Sequence, residues 1–434
     1  MTVYRKFCRY VALSTAGTLG FSLYVIVDTF FISVAAGTVG LTALNLFIPF
    51  YNIIFALAAM IGVGASIRYS VLKGSGDEAQ ADTYFTNAVF WGLLLSVPFV
   101  LIALTATPAV MTLLGAEGEI LTAGVPYARL VLFFSPAFML NHILGNFVRN
   151  DGDPSVVTAA NLSGSFFNVV FDYLLIFPCG MGFKGAALAT GLSPLVSMAV
   201  MSLHLQRGRN HLRFRGGPSV RRLLRACQVG FNAFVTEIAG GVITLSFNYL
   251  ILGLAGNIGV AAYGVITNIS AVVVSIFNGI AVGAQPLISD SRGRGDQKAV
   301  RLFRRLTFGT DFAAAALIYG LIFVFAEPLA GLFNSQNSEA LMAYAVPGLR
   351  LYFTGSLFAS LNIAGGSYFS ASEQAGPAFW ISILRGFVLI LAAVFLLSAL
   401  FGLTGIWVSY GAAEAAALLV TAGFLVREKA RKCS

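Results

Sequence analysis

Asp172 is the only charged residue between Pro154 and Lys184, in the apolar stretch SVVTAANLSGSFFNVVFDYLLIFPCGMGF. Placing a carboxylate near the middle of a bilayer-length helix costs at least ~2.5–3.5 kcal/mol, and more when it is ionised and unpaired. Chains keep such groups where they line a polar cavity, a proton relay or an ion path. Asp28 is a second acid of this kind, inside the first apolar segment. Asp28 lies 17 residues after Val11, and Asp172 lies 17 residues after Ser155. At ~1.5 Å per residue both sit roughly 25 Å along their helices, at one depth in the outer half of a membrane. Asn168 stands one turn before Asp172, and Ser165 and Asn161 continue the same face. Two carboxyl groups close together in low dielectric cannot both stay ionised. Such a pair takes up a proton near neutral pH, or binds Na⁺ with help from Asn168 and backbone oxygens.

The elements that carry these residues follow from composition. Hydrophobic residues make up 58% of the 434 and charged ones 10%, against about 25% charged in a soluble domain. Mean hydropathy is +0.84. The chain therefore reads as an all-α polytopic membrane protein, its apolar runs each long enough to cross ~30 Å of hydrocarbon. Twelve transmembrane helices are predicted near 10–35, 41–70, 83–106, 123–148, 155–177, 185–206, 226–254, 260–289, 303–326, 341–370, 377–400 and 404–427. The first segment is too long for a cleaved signal and contains Asp28. The four cysteines (Cys8, Cys179, Cys227, Cys433) lie far apart, and the three histidines (His142, His204, His211) are scattered. Neither a disulfide framework nor a metal site is indicated.

The net charge of +9 orients the chain. With a cytoplasmic N-terminus, all Lys and Arg except Arg129, Lys184 and Arg350 fall on the cytoplasmic side. Arg207, Arg209, Arg213, Arg215, Arg221, Arg222 and Arg225 crowd the central loop, whereas the outward loops hold Glu117, Glu119, Glu327 and Glu339. This is the positive-inside pattern. The basic charge is therefore assigned to orientation and contact with membrane lipids, and nucleic acid is excluded as a partner. Asp290, Asp296 and Asp311 flank a basic loop and read as solvated or ion-paired.

The two halves follow one plan. A shift of 219 residues places Gly37, Gly64 and Gly74 on Gly256, Gly283 and Gly293. A shift of 220 places Gly182, Gly185 and Gly191 on Gly402, Gly405 and Gly411, and a shift of 221 places Pro126, Arg129 and Asn141 on Pro347, Arg350 and Asn362. Six helices per half make parallel repeats about an axis normal to the membrane. The division is a six-helix lobe at 1–206, a basic cytoplasmic linker at 207–225 and a second six-helix lobe at 226–434. Neither acid is repeated, because Asp28 maps to Phe247 and Asp172 to Phe395. Unshared acids point to chemistry, and the first lobe is the candidate for ion coupling. Glu237 and Glu414 are further membrane acids. They form a cation-attracting wall in the second lobe, or else take a structural partnership with Asn248 or a shallow, wet position. Tyr24, Phe138 and Tyr173 are candidates for an apolar substrate wall.

The segments VRNDGDP at 148–154, NVVFDY at 168–173, KGAALAT at 184–190 and LYVIVDTFF at 23–31 resemble the multidrug and toxic compound extrusion (MATE) family. The resemblance is nearest the branch of DNA-damage-inducible protein F and the Gram-positive multidrug exporters. It implies a V-shaped twelve-helix transporter, not an enzyme, that works without a cofactor as a monomer in the bacterial inner membrane, with both termini cytoplasmic. Its substrates would be small organic cations, exchanged for H⁺ or Na⁺. The coupling network it implies matches Asp28, Asn168, Asp172 and Thr190 here. Asn161, Tyr24, Phe138, Glu237 and Glu414 are the candidate substrate or second-lobe cation residues. The family's helix-one and helix-seven prolines are replaced by Leu13 and Asn232, and Glu237 stands about one turn from another branch's helix-seven acid. The rival reading is a lipid or lipid-linked precursor flippase of the wider superfamily. An acidic interior and twelve helices favour the exporter.

Overall fold

The computed structural model describes residues 3–206, 210–334 and 338–431. Arg207, Arg209, Lys432 and Cys433 lie outside them. The described residues form helices and no strand. In hydrocarbon a helix satisfies every backbone polar group within its own segment. The first half comprises α1 (Val3–Gly74), α2 (Glu78–Thr105), α3 (Thr107–Leu113), α4 (Gly118–Phe133), α5 (Ser135–Asn150), α6 (Pro154–Ile176), α7 (Phe183–Met201) and α8 (Leu203–Gln206). The second comprises α9 (Val220–Gly293), α10 (Gln297–Val324), α11 (Ala326–Gly331), α12 (Glu339–Tyr352), α13 (Thr354–Ala371), α14 (Ala375–Ile383), a π-helical turn (Leu384–Val388) and α15 (Leu389–Arg431).

Seven helical runs are long and apolar enough to cross a bilayer, and three of them double back on themselves. Straight, the 72 residues of α1 would span roughly 110 Å. Instead Gly37 turns the chain at φ 56°, and Phe21 in the first arm packs its ring 6.4 Å from Phe55 in the second. Gly256 does the same for α9 at φ 61°, bringing Phe247 within 5.2 Å of Tyr263. Gly402 folds α15 so tightly that a Cβ on Gly405 would fall 1.9 Å from the Leu397 carbonyl oxygen. These turns need a left-handed backbone, which glycine adopts without steric cost. The bent pair α4–α5, with a 45° break at Phe134, and its counterpart α12–α13 bring the crossings to the expected twelve. α1 runs unbroken through Leu13 to Gly37, so no proline kink interrupts it.

Two large apolar cores result, one drawn from residues 32–187 and one from residues 247–413. Between the halves runs a seam of backbone against backbone. Gly64 abuts Ala226 and Gly230, Gly283 abuts Tyr10 and Val11, and Gly74 abuts Gly293. The first two contacts exchange under the 219-residue shift. The third joins a glycine to its own repeat mate and so marks the pseudo-twofold axis. These approaches lie in the half of the molecule nearer the termini, which is the apex of the V. The segment 210–219 lies along α2 there, where the Ser219 N–H donates to Asn87 Oδ1 at 2.7 Å.

A side chain at Gly64 must collide with helix backbone, since a Cβ would stand 1.9 Å from the Ala226 oxygen, whereas a Cβ at Gly240 meets nothing within 4 Å. Gly64→Leu is therefore expected to lower the melting temperature in detergent by an overpacking cost of about 1–3 kcal/mol. Gly240→Leu is the control and should leave it nearly unchanged.

Candidate ion-coupling site

The first arm of α1 and α6 run parallel with a nearly constant register. Thr158 Oγ1 donates to the Leu13 carbonyl at 2.8 Å, Asn161 packs on Gly17, and the Asp28 and Asp172 carboxyl groups lie within hydrogen-bonding reach of each other. The paired positions differ by 145, 144 and 144 residues. Small residues permit this approach, since a Cβ on Gly20 would strike the Leu162 side chain at 2.4 Å. On the other side of α6, α7 is drawn in by Gly164 and by Ser197, whose Oγ donates to the Ala160 carbonyl at 3.0 Å. That contact carries Thr190 to Asn168.

Asp172 and Asn168 are fully buried, with Asp28 and Thr190 nearly so. With its amide turned to satisfy both ends, Asn168 Nδ2 donates to Asp172 Oδ2 at 3.0 Å and its oxygen accepts from the Thr190 N–H at 3.3 Å. One oxygen of each carboxyl, Asp28 Oδ1 and Asp172 Oδ1, has no partner. Two carboxyl groups in contact need a proton or a cation between them. No described Lys or Arg pairs with either acid.

An aromatic group covers the pair. Tyr24, one turn from Asp28, stands beside Tyr51. Tyr51 packs 5.5 Å from Phe138 and 4.6 Å from Phe55, and Phe21 lies edge-on to Tyr24 at 5.0 Å. Tyr24 and Phe138 thus belong to one wall, whereas Tyr173 is exposed and packs on Phe31 and Phe177 instead. Asn161 stays two turns below Asn168, against Gly17. Tyr51 and Phe55 escaped the sequence reading, although their four-residue spacing on one helix face was a signal.

The MatE family profile matches residues 14–174 and 233–396, well over half of the sequence. The chain belongs to the MatE family. Its members are transporters, not enzymes. Two relatives are each named Multidrug export protein MepA. That of Staphylococcus saprophyticus is 27% identical over 420 residues, covering 95% of this chain and 92% of the relative. That of Staphylococcus aureus is 26% identical over 422 residues, with the same coverage. A solved structure described as the outward-facing conformation of a multidrug resistance MATE family transporter of the MOP superfamily superposes with a TM-score of 0.93 at 22% identity. It covers 100% of this chain and 98% of its own. A MOP superfamily transporter from Pyrococcus furiosus superposes at 0.89 and 22% identity, covering 97% and 94%. These two likenesses establish the fold.

In the second half of this MatE chain the two candidate acids stand in different surroundings. Glu414 is buried and closed by a cation, with Arg385 Nε donating to its Oε1 at 2.7 Å and Asn362 Nδ2 to its Oε2 at 2.8 Å. Arg385 sits in the π-helical turn and had been placed on the cytoplasmic side. Its position was legible as the one charge between Glu373 and Glu414. Glu237 remains exposed, with no ion pair among the described residues. It lies on the α9 face that carries Gly241, which packs against Asn52 of α1. Asp290 pairs with Arg294, and Asp296 caps α10. Asp311 differs from the solvated reading, being fully buried with both carboxyl oxygens unpartnered.

Two of the scattered histidines also converge. At the terminal end of the first half, Asp151 accepts from His204 Nε2 at 2.9 Å, the His211 N–H at 2.8 Å, Tyr69 Oη at 2.8 Å and Lys73. Burial pushes the Asp151 carboxyl up, but these donors and the Lys73 charge outweigh it and hold it down at about 2.

Two measurements follow. Arg385→Met strands a buried carboxylate and should cost about 3–5 kcal/mol of stability, recovered by adding Glu414→Leu; a double mutant as unstable as the single would contradict the pairing. Asp151 is depressed from an ordinary 3.8, so its contribution is present above pH ~4 and is lost as pH falls toward 2. Asp151→Asn should therefore lower the melting temperature at pH 7, with the gap to wild type closing on acidification below pH 4.

Proposed function

We propose that this chain is a secondary active multidrug exporter that exchanges organic, mostly cationic, substrates for H⁺ or Na⁺. Its ion site is the Asp28–Asp172 pair, with Asn168 and Thr190. The carboxyl contact carries the reading: two buried acids share one site, no Lys or Arg among the described residues pairs with them, and an unpartnered oxygen remains on each. A proton or Na⁺ completes that site, and so does a positively charged substrate held against the aromatic wall of Tyr24 and Phe138. Competition for the same carboxyls gives the differential affinity that coupling requires. Printed names of the relatives, multidrug export proteins, support the substrate class.

In this reading 1–206 and 226–434 are the two lobes, 207–225 links them, and the terminal face is cytoplasmic, so the V opens outward. Glu237 supplies negative potential at the seam. Glu414 does not enter, since Arg385 already neutralises it.

Reconstituted vesicles test this. Cationic dye should be expelled under an imposed pH gradient or an imposed Na⁺ gradient, and whichever gradient drives it names the ion. Asp28→Asn and Asp172→Asn should each cut efflux at least roughly tenfold, the equivalent of about 1.4 kcal/mol. Wild-type rates in both variants would sink the coupling assignment. Lipid scrambling without dye transport would favour the flippase.

A further inference from the structure

Among the described residues one non-glycine has a left-handed backbone, Glu373 at φ 57°. Its repeat mate under the 221-residue shift is Gly152, at φ 104°. Both positions make the same turn. Asp151, Gly152 and Asp153 donate their N–H groups to the carbonyls of Phe147, Arg149 and Val148, and Ser372, Glu373 and Gln374 donate to Tyr368, Ser370 and Phe369. The first repeat thus fills the strained position with glycine, as helix ends usually do. The second keeps a side chain there against the steric preference.

That side chain reaches across the seam. Arg68 Nη1 of α1 meets Glu373 Oε1 at 2.5 Å, both side chains about one-fifth exposed (21% and 22%), and the guanidinium lies 5.3 Å from the Tyr84 ring centroid. Under the repeat shifts Arg68 maps to Leu287 and Glu373 to Gly152, so the ion pair has no symmetry mate. It bridges the two halves at the terminal face, where their backbones also close on each other at Gly74 and Gly293. A strained backbone persists where the surrounding contacts over-determine it, and here the helix-end turn, closed by the Glu373 and Gln374 N–H groups, holds it.

We propose that Arg68 and Glu373 are positioning residues of the transport cycle, a one-sided electrostatic latch that holds the terminal face shut while the cleft faces the other side. Opening this face separates the two charges into water. The pair therefore favours the closed seam, by an amount small enough for substrate and coupling ion to tip. This inference rests on the alternating exchange proposed above.

The test is a spin-label distance distribution on full-length protein in nanodiscs, with labels at the exposed Glu78 and Lys298 in a cysteine-free background. Wild type should show mainly the short distance, with a longer one appearing on change of pH or addition of a cationic dye. Glu373→Gln and Arg68→Glu should each raise the long-to-short ratio by roughly fivefold or more, and Arg68→Glu combined with Glu373→Arg should restore the short distance. Glu373→Gly should open the seam as Gln does, yet melt at a higher temperature than Glu373→Gln because the turn is relaxed. Unmoved distances in Glu373→Gln, or no restoration by the charge swap, would overturn the latch in a wild type that switches. One distance in wild type under every condition would sink the alternating reading, and the latch with it.

Discussion

Gly64 and Gly230 touch backbone to backbone, and the shape of the molecule follows from that contact. Without a hydrophobic driving force in lipid, helices associate through close packing, and small residues let their backbones approach. Here the small residues gather near the termini, at the crossing of α1 with α9, so the halves join at one end and diverge toward the other. The V is thus set by where side chains are missing. Its arms each hold a separate apolar core.

Onto this near-symmetric frame the sequence places unsymmetric charge. In the first half two acids meet, and no Lys or Arg among the described residues pairs with them. In the second, Glu414 is closed by Arg385, and Phe247 and Phe395 stand where the first half has Asp28 and Asp172. A paired Glu414 in the second half and an open acid pair in the first make otherwise similar lobes electrostatically unlike. A charge already paired internally offers little to a visiting ion. Glu373 in place of a glycine repeats the theme at the seam, where a single residue makes one side of the pseudo-twofold unlike the other.

Much of the architecture was legible beforehand, for a physical reason. Hydropathy reports crossings because an unsatisfied backbone cannot face lipid, and the turns at Gly37, Gly256 and Gly402 were visible as repeated glycines. The depth match of Asp28 and Asp172 was legible too, because a helix converts residue number into distance at a fixed rise. The partners of Glu414 and the histidines were not, nor was the burial of Asp311. Arg385 lies 29 residues from Glu414, and His204 lies 53 from Asp151. Only the rotation of each helix about its own axis decides whether such groups meet.

The sequence alone therefore determined the class, the twelve crossings, the internal repeat and the presence of two unrepeated acids at one depth, since all of these depend on local composition and periodicity. The tertiary structure decided which charges are free. It put Asp28 against Asp172, closed Glu414 with Arg385, buried Asp311 alone and stretched Glu373 to Arg68 across the seam. Pairing inside a membrane depends on which faces of distant helices are pressed together, and that is settled by packing across the whole fold.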